Sequence, residues 1–205
     1  MNNLSWKTYC HKTNDIPPRP TLVKALSFFD HEPFHGAEKI AVDLGCGAGG
    51  DCLSLLTAGW SVFAVDKEPE AIRAVEEKAA PHANHLKTRV SLFEEIQSLP
   101  TALLVNASLS LPFCRPEAFH TLWKIVASSI QPGGRFAGTL FGDRDEWSAN
   151  TAMTFLSVDQ VYGMFSGFKM EYFHERDEMG PTATAGDKHW HSYSVVAKKI
   201  HVIQK

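Results

Sequence analysis

The feature that most restricts the fold is the run Val42-Asp43-Leu44-Gly45-Cys46-Gly47-Ala48-Gly49-Gly50, set between an apolar segment and a helical one. Lys39 to Leu44 reads as a buried strand, and Asp51 to Ala58 as a short helix stopped by Gly59. Glycines at such a junction allow a tight turn and let a ligand approach the backbone without meeting a Cβ. In an open α/β sheet, ligands sit beyond the carboxyl ends of the strands, and this loop leaves the first of them.

The remaining pattern supplies the sheet. Further strands are predicted at 60–65 ending on Asp66, then at 89–93, 102–106, 135–141, 168–174 and 190–198. A helix is predicted over 21–29, and another opens at Pro69 with Ala71, Ile72, Val75 and Ala79 on one side. A third opens at Pro116, carries Phe119, Leu122, Trp123, Val126 and Ile130 on one face, and stops at Pro132-Gly133-Gly134. Ser157 with Gln160 makes a capping box for a fourth, running through Phe165. The stretch Glu175 to Lys188, rich in Gly, Thr and Asp, reads as a long polar connection. Alternating strands and helices imply a parallel sheet covered on both faces, and a closing strand pair without a crossover helix implies an antiparallel end.

A chain of 205 residues suits one α/β domain. The proline cluster Ile16-Pro17-Pro18-Arg19-Pro20 divides a short segment, Ser5 to Lys12, from the rest. Residues 1–36 are expected to form an N-terminal helical segment of the same domain as 37–205, either a lid with Trp6 and Tyr9 closing over a ligand or a helix packed on the sheet. The net charge of −3, with scattered lysines and arginines, disfavours a nucleic-acid partner. No apolar run approaches the ~20 residues of a membrane span, and the first residues lack a secretory pattern. Cys10, Cys46, Cys52 and Cys114 show no CxxC spacing; they read as reduced thiols of a cytoplasmic protein, Cys46 and Cys114 as buried small residues.

Two acids narrow the ligand. Asp66 ends the second strand about 20 residues after the glycines, where a carboxylate can accept from both hydroxyls of an adenosine ribose. Asp43 lies two residues before the first glycine. An anion there repels a pyrophosphate and attracts a cofactor bearing a sulfonium and an ammonium. Gly45, Gly47 and Gly50 also fit the GxGxxG spacing of an NAD-dependent oxidoreductase, so that class stays open on spacing alone. No GKS or GKT follows, which argues against a P-loop.

Val42 to Gly47 followed by Gly49, then Val65-Asp66 and Pro132-Gly133-Gly134, resemble the motifs of class I S-adenosylmethionine-dependent methyltransferases over roughly 39–141. Asp145-Glu146-Trp147, the helix led by Ser157, Gly180-Pro181-Thr182-Ala183-Thr184 and Lys188-His189-Trp190-His191 are similar to small bacterial methyltransferases of the tellurite-resistance type, grouped loosely with thiopurine methyltransferases. The resemblance implies a Rossmann-like α/β fold: a doubly wound, seven-stranded, mostly parallel sheet with an antiparallel last strand, in an α/β/α sandwich. It implies methyl transfer from S-adenosylmethionine to a small-molecule acceptor, with soft thiol or chalcogen nucleophiles as the expected class. A non-catalytic S-adenosylmethionine-binding protein is the alternative, and an RNA or protein substrate is disfavoured.

By the same resemblance, Asp43, Gly45, Cys46 and Gly47 line the methionine part of the cofactor. Asp66 holds the ribose, with Lys67 beside it. Leu92, Phe93 and Glu94 border the adenine, and Asn106, Ala107 and Leu109 face the sulfonium. Many members carry an acid near Asn106; the amide departs from that pattern, and no catalytic residue is assigned. Phe113, Arg144, Trp147 and His189 are the candidate acceptor residues, Arg144 as an anchor for an anion or as a salt bridge to a neighbouring acid. His189 and His191, two apart on a strand, face one side, where His174 could join them. Without a third ligand at obvious spacing, no metal is expected.

Overall fold

The computed structural model describes residues 17–32, 38–182 and 186–200. At its centre lies β1 (Ile40–Leu44), parallel to both β2 (Ser61–Asp66) and β4 (Ala102–Ala107). These strands read as near-continuous apolar runs because helices cover both faces, and β4 is buried along its whole length. With β3 (Leu86–Val90), β5 (Ile130–Phe141), β6 (Phe168–Pro181) and β7 (Asp187–Lys199), they form one seven-stranded sheet in the order β3-β2-β1-β4-β5-β7-β6. Only β7 is reversed, antiparallel to β5 and β6. The expected architecture is the observed one.

Two apolar layers flank the sheet. On one face α1 (Pro20–Asp30), α2 (Gly50–Thr57) and α3 (Pro69–Lys78) place Leu22, Leu55, Ile72 and Val75 with Ala41, Val62, Leu104, Ala137 and Val196. On the other, α4 (Pro116–Ser129) and α5 (Val158–Met164) place Phe119, Trp123, Val126 and Val161 with Val42, Val105, Phe136 and Val195. Trp123 meets Phe136 and Phe165 edge-on, at 5.2 and 4.8 Å between ring centres, while its Nε1–H donates to Met164 O. Truncating such a ring to alanine costs about 3–5 kcal/mol.

Three elements differ from expectation. β3 occupies 86–90, not 89–93. β2 ends at Asp66, so the Ser91 N–H bonded to Asp66 O is its last backbone link, and Phe93 turns away in a 3-10 helix (Phe93–Glu95). Pro132-Gly133-Gly134 lies inside β5, since α4 ends at Ser129. Ala102 faces Ile130 while Leu104 faces Arg135, so the intervening residues bulge, with Gly133 at φ 82°. The stretch 175–188 is mostly paired: Glu175 faces Tyr193 and Pro181 faces Asp187 in a long hairpin. Its polarity hides it as a strand because this hairpin extends past Phe141, where β5 stops pairing with β7.

Arg135, fully buried on β5, anchors α1. It donates to Glu171 at 2.6 Å and Glu32 at 2.7 Å and stacks 4.4 Å from the Phe29 ring centre. Lys198 also reaches Glu32 at 2.6 Å, and the Arg135 hydrogen bond leads in holding the Glu32 carboxyl down to about 2. A buried guanidinium requires such pairing. No helix among the described residues is long and apolar enough to cross a membrane. Ser5 to Lys12 with Trp6, Tyr9 and Cys10, and Ala183 and Thr184, lie outside the described residues.

Candidate active site

The glycine loop leaves β1 in left-handed conformations that only glycine adopts freely: Gly45 at φ 73°, Gly47 at 53° and Gly49 at 85°. A Cβ on Gly45 would also fall 2.4 Å from that of Ser110, whose hydroxyl donates to Leu44 O at 2.5 Å. The amides of Gly45 and Cys46 donate to Val65 O, and that of Gly47 to Asp66 Oδ2 at 2.9 Å. Asp66 Oδ1 accepts from the Glu68 amide at 3.0 Å. Burial raises the Asp66 carboxyl above its ordinary value, against these backbone donors. The ribose-binding candidate thus also fixes the loop.

Beneath the loop, Asn106 joins two acids. Its Nδ2 donates to Asp43 Oδ1 at 2.8 Å and to Asp51 Oδ2 at 2.9 Å, while its own Oδ1 accepts from Ser108 at 3.1 Å. Asp51 Oδ1 accepts the Arg19 N–H at 2.7 Å. Asp43 is 2 % exposed, and its Oδ2 has no hydrogen-bond partner among the described residues. Burial, then the charge of Asp51, pushes the Asp43 carboxyl up to about 8; the Asn106 hydrogen bond opposes this and Asp66 adds to it. Cys46, Cys52 and Cys114 are buried and their thiols are pushed up by desolvation, which keeps them unreactive.

A cavity opens here, lined by Pro17, Arg19, Asp43, Gly45 to Ala48, Gly50, Asp51 and Ser108. Its chemistry fits a cationic ligand. An orphaned carboxylate oxygen at its wall, beside a second acid, repels a diphosphate and attracts an ammonium or sulfonium. Sequence reasoning missed Asp51, Ser108, Pro17 and Arg19; the available signal was an acid in the first turn of the helix after the glycines.

The other cofactor candidates gather less tightly. Phe93 borders Gly45, with its Cζ 3.5 Å from where a Cβ would stand. Leu92 is exposed, Glu94 accepts from the Arg115 amide, and Lys67 reaches out to Glu68. Ala107 ends β4. Leu109, at φ 55°, is the only non-glycine residue with positive φ among those described. Such a conformation costs about 1–2 kcal/mol and is characteristic of functional loops.

The acceptor candidates divide. Phe113 is exposed and edges Phe141, which in turn meets Trp147 and Trp190. Lys188, 2 % exposed, fills this aromatic box, 3.9 Å from the Trp147 ring centre and 4.1 Å from that of Trp190, and pairs with buried Asp145. Asp145 also accepts the amides of Trp147 and His191. Trp147 therefore packs around the chain's own lysine.

Arg144 donates to Glu175 at 2.8 Å and Asp177 at 2.7 Å, so its charge is matched across the hairpin. His191 Nδ1 accepts the Arg144 N–H, which leaves Nε2–H to donate to Glu175 at 2.9 Å. His189 lies 3.0 Å from Asp177 through Nε2 and from Arg144 O through Nδ1. His189 and His191 do share one face, as expected. His174 does not join them: it pairs with Ser194 and so points to the opposite face. Glu175, Asp177 and His191 lie close enough to share an ion. The Arg144 guanidinium sits on both carboxylates and both His191 nitrogens are engaged, so the geometry is that of an ion-pair network.

Residues 41–134 match a family model described as a methyltransferase domain. Over 128 residues the chain is 30 % identical to "Probable cobalt-precorrin-6B C(15)-methyltransferase (decarboxylating)" of Methanothermobacter thermautotrophicus, covering 62 % of this chain and 65 % of that one. The chain thus spans just under two thirds of this curated relative. Among solved structures, TehB from Haemophilus influenzae superposes with a TM-score of 0.72 at 15 % identity, over 88 % of this chain and 62 % of TehB. The N-methyltransferase NodS from Bradyrhizobium japonicum WM9, in complex with S-adenosylhomocysteine, superposes at 0.68 with 14 % identity, over 97 % and 98 %. The fold is thus the one shared by these S-adenosylmethionine-dependent methyltransferases, and residues 41–134 are similar in sequence to a methyltransferase domain.

Proposed function

We propose that the protein moves the methyl group of S-adenosylmethionine to a small-molecule acceptor with a soft reacting atom, a thiol or heavier chalcogen, in the cytoplasm. The observation that carries the reading is Asp43, buried beside the glycine loop with one oxygen unsatisfied and a second acid close by. That arrangement suits a cationic donor and opposes a dinucleotide.

The bound donor supplies a methyl already activated on a sulfonium. The chain's own residues bind and align. Asp66 meets the ribose, and the Gly45–Gly47 backbone lets the methionine part approach closely. Asn106 is no base: it is an amide, and its hydrogens are engaged by Asp43 and Asp51. Rate enhancement then rests on alignment, worth ~7–11 kcal/mol in favourable cases. A thiol or selenol first sheds its proton to solvent, and the resulting anion takes the methyl and releases S-adenosylhomocysteine with little help from a base.

Strand register suggests where the acceptor lies. Asp43, Asn106, Ala137, Val196 and Tyr172 form one row across a single sheet face. Two residues further along the strands come Thr139, Ser194 and His174, with Ser108 level beside them. This polar row leads away from the cofactor cavity at about 4.8 Å per strand. Because Arg144 is already matched by Glu175 and Asp177, the acceptor is read as neutral on arrival rather than as an oxyanion.

The test is a screen of thiols, selenols, chalcogen oxyanions, amines and phenols with labelled methyl donor. Label is expected in a thiol or selenol. Label only in oxyanions or amines would replace the acceptor class, and binding of NADH with exclusion of S-adenosylhomocysteine would overturn the reading.

A further inference from the structure

We infer that Asp51 is a second carboxylate of the cofactor site, set beside Asp43 by Asn106, and that the pair recognises the α-ammonium of the methyl donor. This rests on the methyl-donor reading above and adds a residue to it.

Asp51 stands in the first turn of α2, an eight-residue helix, and its side chain lines the cavity with Asp43 and Ser108. The Asn106 amide donates to one oxygen of each acid, at 2.8 and 2.9 Å, so the orientation of both carboxylates depends on a single side chain. The amide is neutral and offsets no charge, and an arriving cation would draw the proton from the Asp43 carboxyl, which burial and Asp51 hold up to about 8. The other Asp51 oxygen accepts from the Arg19 backbone, whereas the other Asp43 oxygen has no partner among the described residues, although Asp43 is almost fully buried. A buried acceptor without a donor is costly, and one beside a second acid more so.

The open position therefore calls for a group that brings both positive charge and hydrogen-bond donors. A sulfonium carries charge but no N–H. An ammonium carries both, with three donors to distribute between the acids and the loop carbonyls. A plain helix-capping acid would explain Asp51 and Arg19, but not the unsatisfied Asp43 oxygen beside them.

The test is calorimetric titration of the full chain and its Asp51→Asn variant with S-adenosylhomocysteine and with 5′-methylthioadenosine, which shares the nucleoside but lacks the amino-acid end. Asn keeps the shape and an acceptor for Arg19 N–H. Asp51→Asn is expected to weaken S-adenosylhomocysteine by about tenfold or more, as for a lost charged hydrogen bond, and to leave methylthioadenosine within about twofold. Asp51→Ser, which preserves a helix-start residue, should give the same split. Equal losses for both ligands, or none for either, would overturn the inference. A wild-type protein that binds neither nucleoside would overturn the methyl-donor reading with it.

Discussion

Asn106 and Asp43, 63 residues apart in sequence, meet on neighbouring strands, where the amide of one donates to the carboxylate of the other at 2.8 Å. The bond fixes which Asp43 oxygen is used and which is left buried without a partner among the described residues. The position of a would-be base is thus occupied by an orienting group.

The first consequence concerns pH. The Asp43 carboxyl is raised from the usual 3.8 to about 8, by burial first and then by Asp51, with Asp66 adding to it. Buried Cys46 and Cys52 face the same group and carry no charge to offset it. Since the folded value is the higher one, Asp43's contribution to stability is intact below about 4 and declines as pH rises to about 8. The melting temperature of the ligand-free protein should fall across that window. Asp43→Asn should flatten the slope; an unchanged slope in the variant would assign it to other groups.

Removing Asp66 should loosen the cofactor. Asp66→Ala is expected to cost about 1–3 kcal/mol of S-adenosylhomocysteine affinity in calorimetry. It should also free the Gly47 amide that the carboxylate now accepts from. Unaltered affinity would exclude Asp66 from the site.

Lys188 holds the loop after β5 to β7 through Asp145 and three aromatic rings. Lys188→Met leaves Asp145 buried and uncompensated, which should cost about 3–5 kcal/mol in urea unfolding. Adding Asp145→Asn should recover part of that loss, because the uncompensated charge is gone. A double variant no more stable than the single one would contradict the ion-pair account.

The residues Thr139, Ser194 and His174 should govern the acceptor and not the donor. Thr139→Val and Ser194→Ala are expected to raise the acceptor KM severalfold with S-adenosylhomocysteine affinity unchanged. Arg144→Ala, by contrast, should leave that KM unmoved. A KM effect confined to Arg144→Ala would shift the acceptor to the other face of the hairpin.

Much of the candidate site could be read from the sequence because it is local. The glycines, Asp43 and Asp66 sit at strand ends that the apolar runs define, and the Ser157–Gln160 capping box reads directly from spacing. What stayed hidden depends on partners far along the chain. Asn106 looked like a missing base; its contact with Asp51, 55 residues away, makes it a clamp. Arg144 has acids at 143, 145 and 146, yet its close partners are Glu175 and Asp177, brought across by hairpin register. The hairpin itself escaped because its first strand runs Glu175-Arg176-Asp177-Glu178, charged on both faces, which removes the apolar alternation that marks a strand.

That hairpin has a consequence for strand register. Its strands turn Lys188 and Trp190 toward the aromatic box and His189 and His191 toward Arg144, Glu175 and Asp177. A one-residue slip of β7 against β6 would exchange the two sets at a stroke. The two sets of contacts therefore fix the register of the hairpin from both of its faces at once.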